Sequence, residues 1–453
     1  MKKRIKISAL SASCMLLMTL FTGCGSADNG DMFSMSSAVK SADEGSAEAV
    51  AKDEGSAEIA GEAEVPDADT ALKKADDAVA DIAEGAEDVS VVPEEDIIID
   101  EEYTINENGD TNQAGLLTAG RWNDNQNWGF FQNLVNTGTI EFPVFDINPV
   151  NRTEVNVKNE SGEPSVNAKA ELLSSDGSVI WTSLTDKNGK AYLFYEKDNL
   201  PEKVRISFGK DSQEYAIEIN NNNSDGQGSS ATPVSESTDI TFSSQGELYP
   251  ATDIMFIVDS TGSMSDEMLF LQSEFSAIAQ ETGTDNIRYS VNFYRDIGDE
   301  YVTKCFDFTD DISSLQETLN SERADGGGDT PEAVTEILDE TMNKSDWGEK
   351  SVKLAFMIFD APPHSDRNDL DVLNNAVKTA SERGIRIIPV VSSNSERNTE
   401  LFGRALSICT NGEYVFLTDD SGIGGSHLEP IIGDYQVEKL YDIIIKIIDE
   451  YKQ

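Results

Sequence analysis

Asp253-Ile-Met-Phe-Ile-Val-Asp-Ser-Thr-Gly-Ser263 is the stretch that decides the fold of this chain. Its apolar run, from Ile254 to Val258, has the length and the β-branched content of a strand that is buried on both faces of a sheet. The run ends on the carboxylate of Asp259, and the hydroxyls of Thr261 and Ser263 follow at alternate positions. Carboxylate and hydroxyl oxygens are hard ligands of the kind that Mg²⁺ prefers. The stretch therefore predicts a buried strand that ends at a magnesium site.

The composition indicates which partners the chain avoids and how much of it can fold. With 453 residues, the chain is long enough for two or three domains joined by linkers. Its 84 acidic residues against 34 basic ones give a formal net charge of −50, and such a chain repels nucleic acids and anionic membranes. The hydrophobic content of 38% is low, which indicates that part of the chain has no core. We therefore expect no nucleic-acid partner.

The first residues have the pattern of a secretion signal. Basic residues between Lys2 and Lys6 precede a mostly apolar segment, Ile7 to Leu20, and Phe21-Thr-Gly-Cys24 follows. This ending resembles the lipobox of bacterial lipoproteins, apart from Phe21, where that pattern usually has Leu. The resemblance implies that residues 1–23 are removed and that Cys24 carries a lipid, which anchors the protein on the extracytoplasmic face of a bacterial cell membrane. An ordinary cleaved signal, and hence a secreted protein, is the alternative.

Changes in composition divide the rest of the chain. Residues 24–105 are rich in Ala, Glu, Asp, Ser and Gly and have scarcely an aromatic residue, which predicts a disordered acidic tether. Aromatic residues return in 106–220, the predicted β-module. Residues 221–238 are polar and predict a flexible linker. The last domain, residues 239–453, contains the predicted metal site.

The β-module alternates apolar and polar side chains in six short runs, with Asn-Gly and Asp-Gly pairs at hairpin spacing. This pattern favours a small antiparallel β-sandwich, and a short aromatic segment that includes Trp122 and Trp128 precedes it. The turns Gly162-Glu-Pro164 and Thr185-Asp-Lys-Asn-Gly-Lys-Ala191 resemble those of carboxypeptidase-regulatory-like and bacterial immunoglobulin-like modules. We expect the aromatic residues, Trp181 included, in the core, with a carbohydrate-binding platform as the alternative.

Strands and helices alternate after residue 239, which predicts a doubly wound α/β domain with an open, mostly parallel sheet. Ligands bind such sheets beyond the carboxyl ends of the strands. Asp259 and Asp360 both end apolar runs, and Thr330 reaches the same edge from the loop Gly326-Gly-Gly-Asp-Thr-Pro331. Pro331 is expected at the first position of the next helix. This set of few charges and several hydroxyls suits Mg²⁺, with Mn²⁺ and Ca²⁺ as alternatives.

The three segments together resemble the metal-ion-dependent adhesion site of von Willebrand factor type A domains, in a form closer to bacterial members than to integrins. The motifs are Asp259-Ser-Thr-Gly-Ser263, Thr330 in Gly-Gly-Gly-Asp-Thr-Pro-Glu-Ala, and Asp360 in Phe-Asp-Ala-Pro-Pro-His. The resemblance implies that Thr261 and Ser263 bind the ion through their hydroxyls and that Thr330 coordinates it directly or through water. It implies that Asp259 and Asp360 hold coordinated waters, and that an acidic residue of a protein partner fills the open position.

Three further side chains are expected at the rim of the site. Asp296 and Asp329 would make the rim acidic, which affects the choice of partner without ligating the metal. His364 follows Asp360 by four residues but lies after two prolines. We therefore expect His364 to border the ion or to be a hydrogen-bonded surface histidine.

These features favour a non-enzymatic, adhesion-type surface lipoprotein that captures a carboxylate of a protein partner through Mg²⁺. An envelope assembly or sensing scaffold that binds a sibling protein of the same cell is an alternative that uses the same residues. A metal-dependent hydrolase is a further alternative, with His364 as its candidate base. The sequence has neither a His-Glu-x-x-His nor a Gly-x-Ser-x-Gly motif to support it.

Overall fold

The computed structural model describes residues 117–219, 237–283, 285–328, 330–422 and 425–452. The predicted signal, the lipidation site Cys24 and the acidic tether lie outside these residues, as do Asp329 and most of the predicted linker. Among the residues described, no helix is both long enough and apolar enough to cross a membrane.

The secondary-structure elements are named in chain order. The strands are β1 (Thr118–Trp122), β2 (Arg152–Lys158), β3 (Lys169–Ser174), β4 (Val179–Leu184), β5 (Lys190–Phe194), β6 (Pro201–Phe208), β7 (Asp211–Ala216), β8 (Ser237–Thr241), β9 (Ala251–Asp259), β10 (Ile287–Tyr294), β11 (Thr303–Lys304), β12 (Ser351–Phe359), β13 (Ile385–Val391), β14 (Tyr414–Leu417) and β15 (Glu438–Lys439). The helices are α1 (Trp128–Asn136), α2 (Ser265–Thr282), α3 (Ile312–Ser321), α4 (Val334–Asp339), α5 (Arg367–Arg383), α6 (Arg397–Cys409) and α7 (Leu440–Tyr451).

The large sheet has the strand order β11-β10-β9-β12-β13-β14-β1-β15. Strands β10, β9, β12, β13 and β14 run parallel, whereas β11, β1 and β15 pair antiparallel with their neighbours. Strand β9 lies inside the sheet, and its alternate residues belong to two separate cores. Phe256 packs in the core that includes α2 and α7, and Ile257 in the core that includes α4, α5 and α6. The predicted mostly parallel sheet with helices on both faces is confirmed.

Strand β1 belongs to the large sheet, although the sequence analysis grouped its residues with the β-module. It pairs with β14 through Ala119 opposite Leu417, and Gly120 faces Phe416 closely. A Cβ atom at Gly120 would lie 2.4 Å from the Phe416 ring, so only glycine allows this approach. Strand β1 therefore completes the α/β sheet, whereas Trp128, later in the same aromatic segment, packs against Arg152 of β2 in the β-module.

A buried ion cluster holds the chain immediately after β1. Arg404 of α6 donates to both carboxylate oxygens of Asp124 at 2.8 Å, and to Glu400 at 3.3 Å. All three side chains are essentially inaccessible to solvent. The paired charges and the planar guanidinium fix this segment against α6.

Two small sheets make up the β-module, with the strand orders β5-β2-β8 and β4-β3-β6-β7. The six predicted strands are all present, and most neighbours are antiparallel. Strand β8 pairs parallel with β2, so residues 237–241 belong to this sheet and not to the linker or to the α/β domain. Trp128 and Trp181 are buried, and the Trp181 indole N–H donates to Ser381 of α5 at 2.9 Å. Both side chains thus pack in the core.

Helix α4 begins at Val334, so the expectation that Pro331 occupies the first helical position is wrong. The Glu332 backbone N–H donates instead to the Pro362 carbonyl at 3.1 Å, and the two segments form a short parallel bridge. This contact holds the residues after Thr330 in a loop beside the end of β12.

Candidate metal site

Backbone hydrogen bonds bring the three predicted segments together at the carboxyl edge of the large sheet. They join the end of β9 to the glycine-rich loop, and that loop to the segment after β12. The bonds run from Gly262 N–H to Gly326 O (3.1 Å), from Asp325 N–H to Ser260 O (3.0 Å) and from Glu332 N–H to Pro362 O (3.1 Å). The main chain itself thus sets the relative positions of the candidate ligands.

A cleft of about 280 Å³ opens between these segments. Four of the five predicted ligands line it, namely Thr261, Ser263, Thr330 and Asp360. The fifth, Asp259, is fully buried and bonded to Thr261. The structure therefore brings the oxygens of all five residues into one small region.

Asp259 has one satisfied and one unsatisfied oxygen. Its Oδ1 accepts hydrogen bonds from the Thr261 backbone N–H at 2.9 Å and from the Thr261 hydroxyl at 2.7 Å. Its Oδ2 is buried and forms no hydrogen bond of good geometry with any residue that the structure describes, although the nearby Tyr294 hydroxyl lowers the pKa of Asp259 somewhat. Burial, and next the negative charge of Asp360, raise the pKa of Asp259 to about 7. A buried carboxylate oxygen without a partner is costly, and a bound cation would relieve that cost.

Asp360 and Ser263 complete the oxygen set on the cleft side. Burial raises the pKa of Asp360, and the hydroxyl of Ser263 beside it acts in the opposite direction. The Thr261 and Ser263 hydroxyl oxygens are 3.4 Å apart. Two carboxylates with raised pKa values beside two hydroxyls form a site at which a bound cation would favour the ionised carboxylates.

Glu332 and Tyr294 belong to the site but were not singled out from the sequence. Glu332 lines the cleft, is only 4% exposed, and its Oε2 accepts no hydrogen bond within the described part of the chain. Burial, followed by the charges of four aspartates beginning with Asp259, raises the pKa of Glu332 to about 9. Tyr294 is fully buried, and burial and then the charge of Asp259 raise its pKa. Glu332 belongs to the motif Gly-Gly-Gly-Asp-Thr-Pro-Glu-Ala, and this position was the sequence feature that could have identified it as a site residue.

Asp299 positions the glycine-rich loop. Its Oδ2 accepts hydrogen bonds from the backbone N–H groups of Gly327, at 2.9 Å, and of Asp296, at 3.1 Å. Gly327 has a φ of +61°, and a Cβ atom there would lie 2.8 Å from both Thr261 and Glu332. The loop can therefore approach the ligands only because this residue has no side chain.

The predicted rim residues form a pair. His364 Nε2 lies 2.8 Å from Asp296 Oδ1, and both side chains are largely buried. His364 is thus engaged by a carboxylate beside the site, in agreement with the expectation of a hydrogen-bonded histidine at its border. Asp329, the other expected rim residue, lies outside the described residues.

A second hydrogen-bonded series lies behind the cleft and was not foreseen. Ser393, just after β13, has its hydroxyl 3.2 Å from Glu267 of α2 and 3.1 Å from His427 Nε2. His427 Nδ1 in turn lies 2.8 Å from Asp419. Because Ser393 is buried and bonded on both sides, this series ties α2 to the loop after β14. Its members come from three distant segments, so no local sequence pattern identifies it.

The donor set fits a small hard cation. Two carboxylates and three hydroxyls supply oxygen chemistry at one edge, and one carboxylate oxygen is buried without a partner. The described residues include no group of three or more His, Cys, Asp or Glu side chains placed to hold a metal. An oxygen site of low charge, such as this cleft offers, suits Mg²⁺.

Residues 253–426 match the family model of the von Willebrand factor A domain. This part of the chain is similar to von Willebrand factor A domains. The match covers β9 to the loop after β14, and so includes every candidate ligand. Strand β1, which the fold adds to the same sheet, lies outside the matched range.

The proteins similar to the chain include a viral and a bacterial example. The ariadne-like RING finger protein R811 of Acanthamoeba polyphaga mimivirus is 27% identical over an alignment of 187 residues, and the match covers 36% of this chain but only 18% of that protein. The chain thus matches less than a fifth of the length of this relative. The crystal structure of the conserved hypothetical protein BatB from Bacteroides thetaiotaomicron aligns with 44% of this chain and 98% of its own, at 14% identity and a TM-score of 0.32.

Proposed function

We propose that the von Willebrand factor A domain of this chain binds a protein partner through a Mg²⁺ ion at the carboxyl edge of the large sheet. Domains of this family are interaction modules as a rule, which supports a protein-binding role over an enzymatic one. The observation that carries the proposal is the buried Oδ2 of Asp259, which has no hydrogen bond of good geometry among the described residues, on a carboxylate that is bonded to Thr261 of the cleft.

The ion would be held by Asp259, Thr261, Ser263, Thr330 and Asp360, with Mn²⁺ or Ca²⁺ as substitutes. When bound, it supplies two positive charges to a region where burial and neighbouring carboxylates raise the pKa values of Asp259 and Asp360. The positive charge would favour ionised carboxylates and so reverse the cost of burying them.

The partner would contribute an acidic side chain. The cleft is open to solvent at Ser263 and Thr330, which are exposed, so a group from another molecule can reach it there. A carboxylate is the ligand that a Mg²⁺ ion with few protein charges accepts most readily. Recognition then depends on both molecules, and neither completes the coordination alone.

The location of the protein is also a proposal. The lipobox-like sequence at Cys24 favours a lipid anchor on the outer face of a bacterial membrane, with the acidic tether as a spacer. In that position the domain would meet proteins of the envelope or of another cell.

Calorimetric titration with MgCl₂ tests the metal, and capture from an extract of the producing cells, with and without EDTA, tests the partner. We expect Asp259→Ala to abolish Mg²⁺ binding and EDTA to release the captured protein. The exposed Asp310 provides the matched control, Asp310→Ala. Capture that survives both EDTA and Asp259→Ala would contradict the metal-dependent mode of binding.

A further inference from the structure

A second cavity, of about 370 Å³, lies at the opposite edge of the large sheet. Its walls come from the amino end of β13, the turn before β14, the end of α7 and the hairpin turn between β4 and β5. The cavity is therefore shared by the α/β sheet and the β-module. It uses none of the candidate metal ligands.

Arg386, the second residue of β13, is the unusual side chain of this cavity. It is only 8% exposed, and its Nε is buried without a hydrogen-bond partner in the described part of the chain. Its guanidinium faces the ring of Tyr451 at 5.1 Å. No ion pair joins it to a carboxylate among the described residues, whereas the buried Arg404 and Arg295 both have one.

A buried charge without a partner is expensive. Desolvation of a guanidinium is costly, and a cation–π contact such as the one with Tyr451 offsets only part of that cost. Arginine planes also bind carboxylates in a bidentate manner that suits recognition. An oxyanion in the cavity would supply the partner that the chain itself does not.

The acidic residues of the cavity wall are committed elsewhere. Asp186 accepts hydrogen bonds from the backbone N–H groups of Asn188 and Lys190 at 2.8 and 2.9 Å. Both carboxylate oxygens of Glu450 accept from Arg121, at 2.7 and 3.0 Å. Glu413 lies 3.6 Å from the same Arg121. These carboxylates do not neutralise Arg386, but they make the rest of the cavity attractive to a cationic group.

We propose that the cavity binds a small zwitterion, a free amino acid or a dipeptide, with its carboxylate on Arg386 and its ammonium group toward the acidic wall. A cavity of about 370 Å³ accommodates a molecule of this size. Lys187 and Lys190 also line the cavity, but they bind the Glu450 carbonyl and the Glu154 carboxylate, which leaves Arg386 as the lining cation without such a partner among the described residues. An anion without an ammonium group is disfavoured by Asp186, Glu413 and Glu450 in the same wall. A ligand here would contact the hairpin of the β-module and the α/β sheet at once, and so would stabilise their contact.

Thermal denaturation and calorimetry of the whole protein with L-alanyl-L-alanine test the proposal. For the wild type we expect a rise in Tm and measurable binding. For Arg386→Lys we expect binding at least tenfold weaker, because this variant keeps the positive charge but loses the planar guanidinium that binds a carboxylate through two N–H groups. N-acetyl-alanine, which has the carboxylate alone, and inorganic phosphate should both bind at least tenfold more weakly than the dipeptide. Arg205→Lys, at a surface ion pair on β6, is the matched control and should bind like the wild type.

Arg386→Met separates a binding role from a structural one. An unpaired buried charge contributes little to the fold, so this variant should keep the Tm of the unliganded wild type or exceed it, and should not respond to the dipeptide. Any of three results would overturn the proposal. The wild type and Arg386→Lys could respond equally to the dipeptide, the wild type could fail to respond to it, or phosphate could bind more tightly than the dipeptide. Dipeptide binding should persist in Asp259→Ala and in EDTA, which keeps this test independent of the metal site.

Discussion

Thr261 donates two hydrogen bonds to Asp259 Oδ1, one from its backbone N–H at 2.9 Å and one from its hydroxyl at 2.7 Å. A hydroxyl that gives its proton to a carboxylate keeps its lone pairs for a cation. Ion binding at Thr261 therefore does not require this bond to break. The pair is prearranged for a metal, and Asp259 Oδ2 is the atom that lacks a partner without one.

Mg²⁺ should stabilise the folded protein, and Asp259→Asn should remove that effect. At a free concentration of 100 times Kd, one site adds about 2.7 kcal/mol to the free energy of unfolding. Without metal, Asp259→Asn should be at least as stable as the wild type at pH 8, because it removes a buried charge. Urea denaturation in MgCl₂ and in EDTA measures both effects. Asp310→Asn, at an exposed position, should respond to Mg²⁺ like the wild type, and equal stabilisation of all three proteins would exclude Asp259 as a ligand.

Gly327→Ala should weaken the site, whereas Gly328→Ala should not. A Cβ atom at Gly327 meets Thr261 and Glu332 at 2.8 Å, and the residue has a positive φ of +61°. We expect a loss of about 1–3 kcal/mol in stability and weaker Mg²⁺ binding. A Cβ atom at Gly328 meets nothing within 4 Å. Denaturation and Mg²⁺ titration of both variants compare the positions, and similar results for the two would show that the close approach at Gly327 is unimportant.

Asp124→Asn should destabilise the whole α/β domain, because it breaks the buried pair with Arg404 and leaves an uncompensated guanidinium. Removal of one partner from a buried ion pair costs about 3–5 kcal/mol. Asp146→Asn is the comparison, since Asp146 pairs with Arg367 at the exposed surface. There we expect a change of about 1 kcal/mol or less. Chemical denaturation gives both values, and a small effect at Asp124 would mean that the segment after β1 does not stabilise the domain.

Stability should fall as the pH rises from about 4.5 to about 7, in part because of Glu413. This carboxyl is 7% exposed, and burial raises its pKa from 4.5 to about 7, although Arg121 acts against the shift. The folded state therefore binds this proton more tightly than the unfolded state, and the stabilisation is complete below pH 4.5 and lost above pH 7. The difference is of the order of 3 kcal/mol. Glu413→Gln should flatten this part of the stability profile, and an unchanged profile would show that Glu413 ionises normally.

The large sheet and the metal segments could be predicted because their signals are local. The central parts of β9, β12 and β13, residues 254–258, 354–359 and 387–391, are apolar throughout, as expected for strands buried on both faces. The motifs at the end of β9 and after β12 contain the oxygen-bearing side chains of the candidate site directly. The five candidate ligands could thus be placed at one edge from chain direction alone.

The remaining features depend on contacts between distant segments. Strand β1 has the sequence Thr-Ala-Gly-Arg-Trp, which is too short to show alternation, and its partners are near the carboxyl end of the chain. The start of α4 depends on the bond between Glu332 and Pro362, and Pro331 alone gave the wrong position. Whether Arg386 has a hydrogen-bond partner likewise depends on the residues around it in the fold. No pattern within β13 indicates that its Nε has none among the described residues.

The position of β1 also has a consequence for biosynthesis. The hydroxyls of Thr118 and Thr418 meet at 2.9 Å although 300 residues separate them, and β15 closes the same sheet later still. As the ribosome produces the chain, β1 emerges long before the strands that it joins. It waits without these partners until β14 and β15 have been made, so the α/β domain completes its sheet only after some 300 further residues have been added. A chain truncated before β14 would leave this early strand permanently unpaired, which favours its recognition by chaperones and proteases.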